Sequence, residues 1–146
     1  RLAHTAFVHP HGDVGVFDRA DELDVRAVLG VRVDLRSTGQ VKGAEVDDLV
    51  RANASRLRAA VLLGRDRGII ADALAAHAPQ VPVTVIETSD ADEAMREAVA
   101  AANAAAQRGD TVLLAPAAAS LDMYASYGAR GDAFADAVAA LSGSGA

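Results

Sequence analysis

Three observations predict an open α/β fold, a mainly parallel sheet of about six strands with helices on both faces. Short β-branched runs alternate with longer Ala-rich stretches, and the apolar residues of those stretches recur at three- and four-residue spacing. The stretches are also too long to be hairpin turns, so the strands they join are parallel and reached by right-handed crossovers.

At the amino end, Thr5–Val8 and Val14–Phe17 read as strands turning at His11-Gly12-Asp13, a hairpin at one sheet edge. Asp21–Leu29 has a sparse helical pattern, and Val31–Leu35 is the next strand. Val46–Ser55 is helical, and Leu57–Leu63, closed by Gly64, is a buried strand. Gly68–His77 and Ala91–Gln107 are helices, while Val81–Ile86 and Thr111–Leu114 are buried strands bounded by polar, Gly or Pro residues. An irregular segment leads to a last helix, Asp132–Leu141, after which Ser142-Gly143-Ser144-Gly145 is expected to fray. No repeat or linker divides the chain, so residues 1–141 are expected to form one domain with 142–146 as a flexible tail.

Composition narrows the function. The 146 residues carry 14 Lys and Arg against 20 Asp and Glu, a net charge of −6, which argues against a general affinity for nucleic acid or an anionic membrane. With 51% hydrophobic but only 3% aromatic residues, the core is built from Ala, Val and Leu. A chain of this length buries roughly 70% of its unfolded surface and needs no metal or disulfide staple. The absence of cysteine excludes disulfides, thiol catalysis and Cys-ligated zinc. No apolar run reaches the ~20 residues of a membrane-spanning helix. The start at Arg1 lacks the charged-then-apolar pattern of a secretion signal, so a cytoplasmic setting is expected.

Ligands of open α/β folds collect at the carboxyl ends of the strands, here the segments after Leu35, Leu63, Ile86 and Leu114. After the first lies Gly39-Gln40-Val41-Lys42-Gly43, whose glycines let the backbone and the Lys42 ammonium approach an anion. Its spacing is not that of a Walker A loop, and a solvated turn lysine is the simpler account. Gly64-Arg65-Asp66-Arg67-Gly68 joins a strand to a helix, where free N–H groups suit an anion. Surface ion pairing with Asp66 explains its arginines as well.

The richest stretch is Thr111 to Asp122, a buried strand running into small residues and then Ser120. Ser120 Oγ with the N–H groups of Leu121 and Asp122 would make a carboxylate-sized site at the positive end of a helix; a plain N-cap is the equal alternative. Tyr124, Tyr127, Arg130 and Phe134 come next, and the two tyrosines either wall a pocket beside that turn or pack the helix on the sheet. Arg130-Gly131-Asp132 is read as a helix start with an acid at its positive end. His4, His9 and His11 lack a third neighbour for a metal site and read as surface residues. No G-x-S-x-G elbow occurs, so no nucleophile-and-base arrangement is evident.

The run Gly109-Asp110-Thr111-Val112-Leu113-Leu114-Ala115-Pro116-Ala117-Ala118-Ala119-Ser120-Leu121-Asp122-Met123-Tyr124, continuing Tyr127-Gly128-Ala129-Arg130-Gly131-Asp132-Ala133-Phe134, closely resembles the end of the D-glutamate-adding branch of the Mur ligase family, the UDP-N-acetylmuramoyl-L-alanine:D-glutamate ligases of peptidoglycan synthesis. The resemblance extends through Arg58–Arg67 back to about residue 39, and on to about residue 141. It implies a Rossmann-like C-terminal domain that closes over a central ATP-binding domain and presents D-glutamate to an acyl-phosphate. Carried onto this chain, Ser120, Leu121 and Tyr127 match the positions that hold D-glutamate, and Lys42 matches a lysine that meets a substrate carboxylate. Such a site orients its ligand and stabilises charge rather than moving protons.

Residues 1–38 diverge from the family. Where it carries D-S-K-A-T-N, this chain has Phe17-Asp18-Arg19-Ala20-Asp21-Glu22, so that Asp18 alone occupies the position of a nucleotide-contacting Asp. Thr5 follows His4 where the family has an Arg, and Ser37-Thr38-Gly39 replaces A-G-G. The resemblance implies ATP and Mg in the complete enzyme, none bound tightly to this chain. The partners are then the missing central ATP-binding domain, the N-terminal UDP-binding domain and D-glutamate, without which the chain is expected to be inactive. The alternative is a noncatalytic α/β binding or interaction module derived from that domain.

Overall fold

The computed structural model describes residues 5–8, 14–17, 27–31, 43–64, 67–107, 110–115 and 123–143. In chain order these form β1 (Thr5–Val8), β2 (Val14–Phe17), β3 (Ala27–Val31), α1 (Gly43–Asn53), a 3-10 turn (Ala54–Arg56), β4 (Leu57–Leu62), α2 (Arg67–His77), β5 (Val83–Val85), α3 (Ala91–Ala105), β6 (Thr111–Ala115) and α4 (Tyr127–Gly143). The sheet order is β2-β1-β6-β3-β4-β5. β6, β3, β4 and β5 pair in parallel, whereas β1 is antiparallel to both β2 and β6. This is an α/β architecture compatible with a Rossmann-like domain.

The two faces of the sheet are covered by different helices, as strand alternation requires. Ala60 and Leu62 of β4 pack with Val46 and Val50 of α1 and with Ile70, Ala73 and Leu74 of α2. Ala59, Val61 and Leu63 point the other way, onto Met95, Ala98 and Val99 of α3 and Phe134, Ala137 and Val138 of α4. Topology explains the division. α1 and α2 lead to strands added on one side of β3, but α3 returns the chain to β6 on the other side. α3 starts at an Asp90 cap whose carboxylate accepts the Glu93 N–H at 2.8 Å, with Asp92 and Glu93 in its first turn complementing the helix dipole.

Several expectations need correction. Ala27–Leu29, expected at the end of a helix, are strand residues; their pairing with β6 and β4 on either side overrides a sparse local pattern. Of the expected strand Val31–Leu35, only Val31 falls within the described residues, as the last of β3. Gly43 opens α1 instead of closing the preceding loop. β5 is not buried along its length: Val83 and Val85 are 38% and 41% exposed because β5 is the sheet edge, and burial is confined to the flanking Val81 and Ile86. Its ladder still spans more than its three strand residues, since Ala60 N–H donates to Pro82 O and Ile86 N–H to Leu62 O. α4 begins at Tyr127 rather than Asp132, because Ser126 Oγ accepts the Ala129 N–H at 3.0 Å and so caps the first turn. Arg130-Gly131-Asp132 therefore lies inside the helix, and the helix continues through Ser142 and Gly143.

Candidate functional site

β3 and β6 are adjacent parallel strands whose last register partners are Val31 and Ala115. The chain leaves β3 toward α1 and β4 on one side, and enters β6 after α3 has crossed to the other. Their shared carboxyl end is thus the place where strand order reverses, the crevice in which open α/β sheets hold ligands. Lys42 stands in sequence between β3 and α1, while Ser120 and Leu121 stand between β6 and α4. These three residues and Asp18 lie outside the described residues, as do His4, His9 and His11. Tyr127 is the first residue of α4.

Around that crevice the described residues form a fastened frame. Tyr124, 7% exposed, packs in the core with Ile86 and Phe134, and its hydroxyl donates to the carbonyl of Ala91, the first residue of α3, at 2.6 Å. Tyr124 and Phe134 both pack in the core on the α3–α4 face of the sheet. Ser126 then caps α4, and one turn on lies Arg130, 3% exposed, whose backbone N–H donates to Ser126 O at 3.2 Å as part of the helix.

At the end of β4, Gly64 is buried with φ of 90°, a left-handed conformation that glycine adopts without a Cβ penalty. Arg67 Nη1, on the first residue of α2, donates to the Gly64 carbonyl at 2.9 Å and so ties the start of α2 to the end of β4. Arg65 and Asp66 lie outside the described residues. After β5, Thr88 Oγ1 lies 2.8 Å from both carboxylate oxygens of Glu97, joining that connection to α3. Among the described residues, no group of three His, Cys, Asp or Glu could hold a metal ion. None of their helices is long and apolar enough to cross a membrane.

Sequence reasoning missed the Tyr124–Ala91 bond and the pairing of Arg58 with Asp110 at the far end of the sheet. Neither has a local signal, since the partners are 33 and 52 residues apart. A buried-strand reading that contained an arginine was the available hint for the second.

No family model matches the chain. Among curated proteins, the UDP-N-acetylmuramoylalanine–D-glutamate ligase of Thermobifida fusca is 58% identical over 105 residues, covering 72% of this chain and 22% of the relative. The ligase of the same name from Rhodococcus jostii is 52% identical over 128 residues, covering 73% of this chain and 26% of the relative. That of Streptomyces coelicolor is 55% identical over 103 residues, 70% of this chain and 22% of the relative. The matched region is about a quarter of the length of these relatives.

Proposed function

We infer that this chain, which matches a fragment of a Mur ligase over about 70% of its length, is the D-glutamate-binding C-terminal domain of an ATP-dependent ligase. That ligase adds D-glutamate to UDP-N-acetylmuramoyl-L-alanine in peptidoglycan synthesis, in the cytoplasm. The observation that carries the proposal is the identity of 50–58% to relatives bearing that ligase name. The paired ends of β3 and β6 support it, because the sequence segments of Lys42 and of Ser120 and Leu121 start from neighbouring strands at the reversal point.

In this proposal Ser120, the Leu121 backbone and Tyr127 hold the amino acid, and the Lys42 ammonium meets a substrate carboxylate. Their work is orientation: a held carboxylate fixes where the amine stands relative to an activated acyl group, lowering the entropic cost of the encounter. ATP, with Mg, and the UDP-linked substrate belong to the central and N-terminal domains. This chain by itself is therefore inactive, and the site is completed by closure against those domains. Asp18 is assigned a nucleotide contact within the same proposal.

The test is a chimaera in which this chain replaces the matched quarter of the T. fusca ligase. Activity with D-glutamate is expected, with Ser120→Ala raising the D-glutamate KM about fivefold, the equivalent of ~1 kcal/mol for one lost hydrogen bond. A folded chimaera without ligase activity would favour the noncatalytic module. An active one whose KM ignores Ser120→Ala would remove that residue from the site.

A further inference from the structure

We propose that His77 is a proton-operated pin between α1 and α2, bonded to Arg51 while its ring is neutral and to Asp47 once the ring is protonated. The inference does not depend on the function proposed above. His77 closes α2, and a single ring atom meets both partners: Nε2 lies 3.3 Å from Arg51 Nη2 and 3.2 Å from Asp47 Oδ1. The two contacts make opposite demands on that atom. A guanidinium only donates, so its bond needs a lone pair on Nε2, whereas an ionised carboxylate only accepts, so its bond needs a proton there. Nε2 therefore serves one partner at a time.

Arg51 is held for this role from its other side. Asp48 Oδ1 accepts from Arg51 Nη1 at 3.0 Å, which orients the planar guanidinium so that Nη2 stands at the His77 ring. A neutral ring answers that fixed donor with the Nε2 lone pair. Protonation fills the lone pair, sets a cation beside a cation, and gives Nε2 a hydrogen to donate to the Asp47 carboxylate. The negative end of the α2 dipole at His77 favours the same step. Of the strands packed against α2, β4 contributes Arg58, which is bonded to Asp110, and β5, Val83-Thr84-Val85, carries no charge. On α2 itself, Arg67 stands at the opposite end, bonded to the Gly64 carbonyl, and Asp72 is five residues back. The handover moves the tie along α1 from residue 51 to residue 47, about 6 Å at 1.5 Å per residue. The two helices thus stay linked in both forms, with the link displaced by about one turn.

The neutral tautomer is tested on the unaltered chain. Two-dimensional 15N NMR of the imidazoles in the 146-residue protein at about pH 8 is expected to show His77 with its proton on Nδ1 and none on Nε2. A ring that carries its proton on Nε2 there overturns the proposal. Double-mutant cycles read the handover itself, with His77→Ala paired once with Arg51→Ala and once with Asp47→Ala in urea titrations. At about pH 8 the His77–Arg51 cycle is expected to show about a threefold coupling in the unfolding constant and the His77–Asp47 cycle none. At about pH 5.5 the two values should exchange. Couplings that keep the same partner at both pH values overturn the proposal, and so does the absence of coupling in both cycles.

Discussion

Arg58 on β4 and Asp110 ahead of β6 are joined across the intervening strand β3: Nε and Nη2 of Arg58 both donate to the Asp110 carboxylate, the second at 3.1 Å. A bulge makes the reach possible. Ala27 faces Leu57 and Val28 faces Ala59, so Arg58 is the residue skipped in the ladder. The side-chain phase changes there, since Leu57 packs with the α1–α2 face but Ala59 with the α3–α4 face. The Asp110 carboxylate also accepts the Gln107 N–H at 2.8 Å, which fixes the turn between α3 and β6. The pair closes the amino ends of the parallel strands, opposite the end where the site is proposed.

Its two members should not cost the same to remove. Arg58→Met takes the guanidinium from a carboxylate whose side chain is only 5% exposed, and is expected to cost about 3 kcal/mol. Asp110→Asn leaves an arginine that is 26% exposed and can turn toward water, so about 1 kcal/mol is expected. Urea midpoints at unchanged m-value measure both, and equal losses would contradict the asymmetry.

Large-to-small changes should separate the core from the edge. Leu74, 1% exposed and packed with Leu62 and Val46, is expected to cost about 3 kcal/mol as Leu74→Ala, through lost burial and the cavity left behind. Val85→Thr on the exposed edge strand should fall within about 0.5 kcal/mol of the parent. Thermal melts of the two variants check the contrast.

How much of this was legible follows from how local each signal is. The hairpin of Thr5–Phe17 is written in two short runs and a Gly turn, and α1, α2 and α3 in apolar spacing that their buried faces repeat. β3 was misread because Ala27–Val31 is made a strand by partners more than 25 residues away in sequence. The start of α4 was hidden by Gly128 and Gly131, which lower helix propensity where the Ser126 cap opposes them. For the site, the residues named by resemblance, Lys42, Ser120, Leu121 and Asp18, lie outside the described residues. The bonds of Tyr124 to Ala91 and of Arg67 to Gly64 needed coordinates because only folding brings those groups together.

The α3 cap offers a further test. Asp90→Ala removes the acceptor of the Glu93 N–H and a negative charge at the helix start, for an expected loss of about 1 kcal/mol. Asp90→Asn keeps the acceptor and should lose only a fraction of that. Because Ala91 receives the Tyr124 hydroxyl, Asp90→Ala should also speed amide exchange in the first turn of α4. Exchange there that is unaffected would mean the two helix starts are independent.

Two glycine-to-alanine changes should have opposite signs. At Gly64, φ of 90° is a conformation that a Cβ opposes, so Gly64→Ala is expected to destabilise by about 1–2 kcal/mol and to disturb the tie that Arg67 makes to its carbonyl. At Gly131, inside α4, an added Cβ meets nothing within 4 Å, and alanine is the better helix former. Gly131→Ala should therefore stabilise by about 0.5–1 kcal/mol, chiefly by restricting the unfolded chain. Paired denaturation curves decide both. A stabilising Gly64→Ala would mean that its turn is not left-handed, while a destabilising Gly131→Ala would place another group against that face of α4.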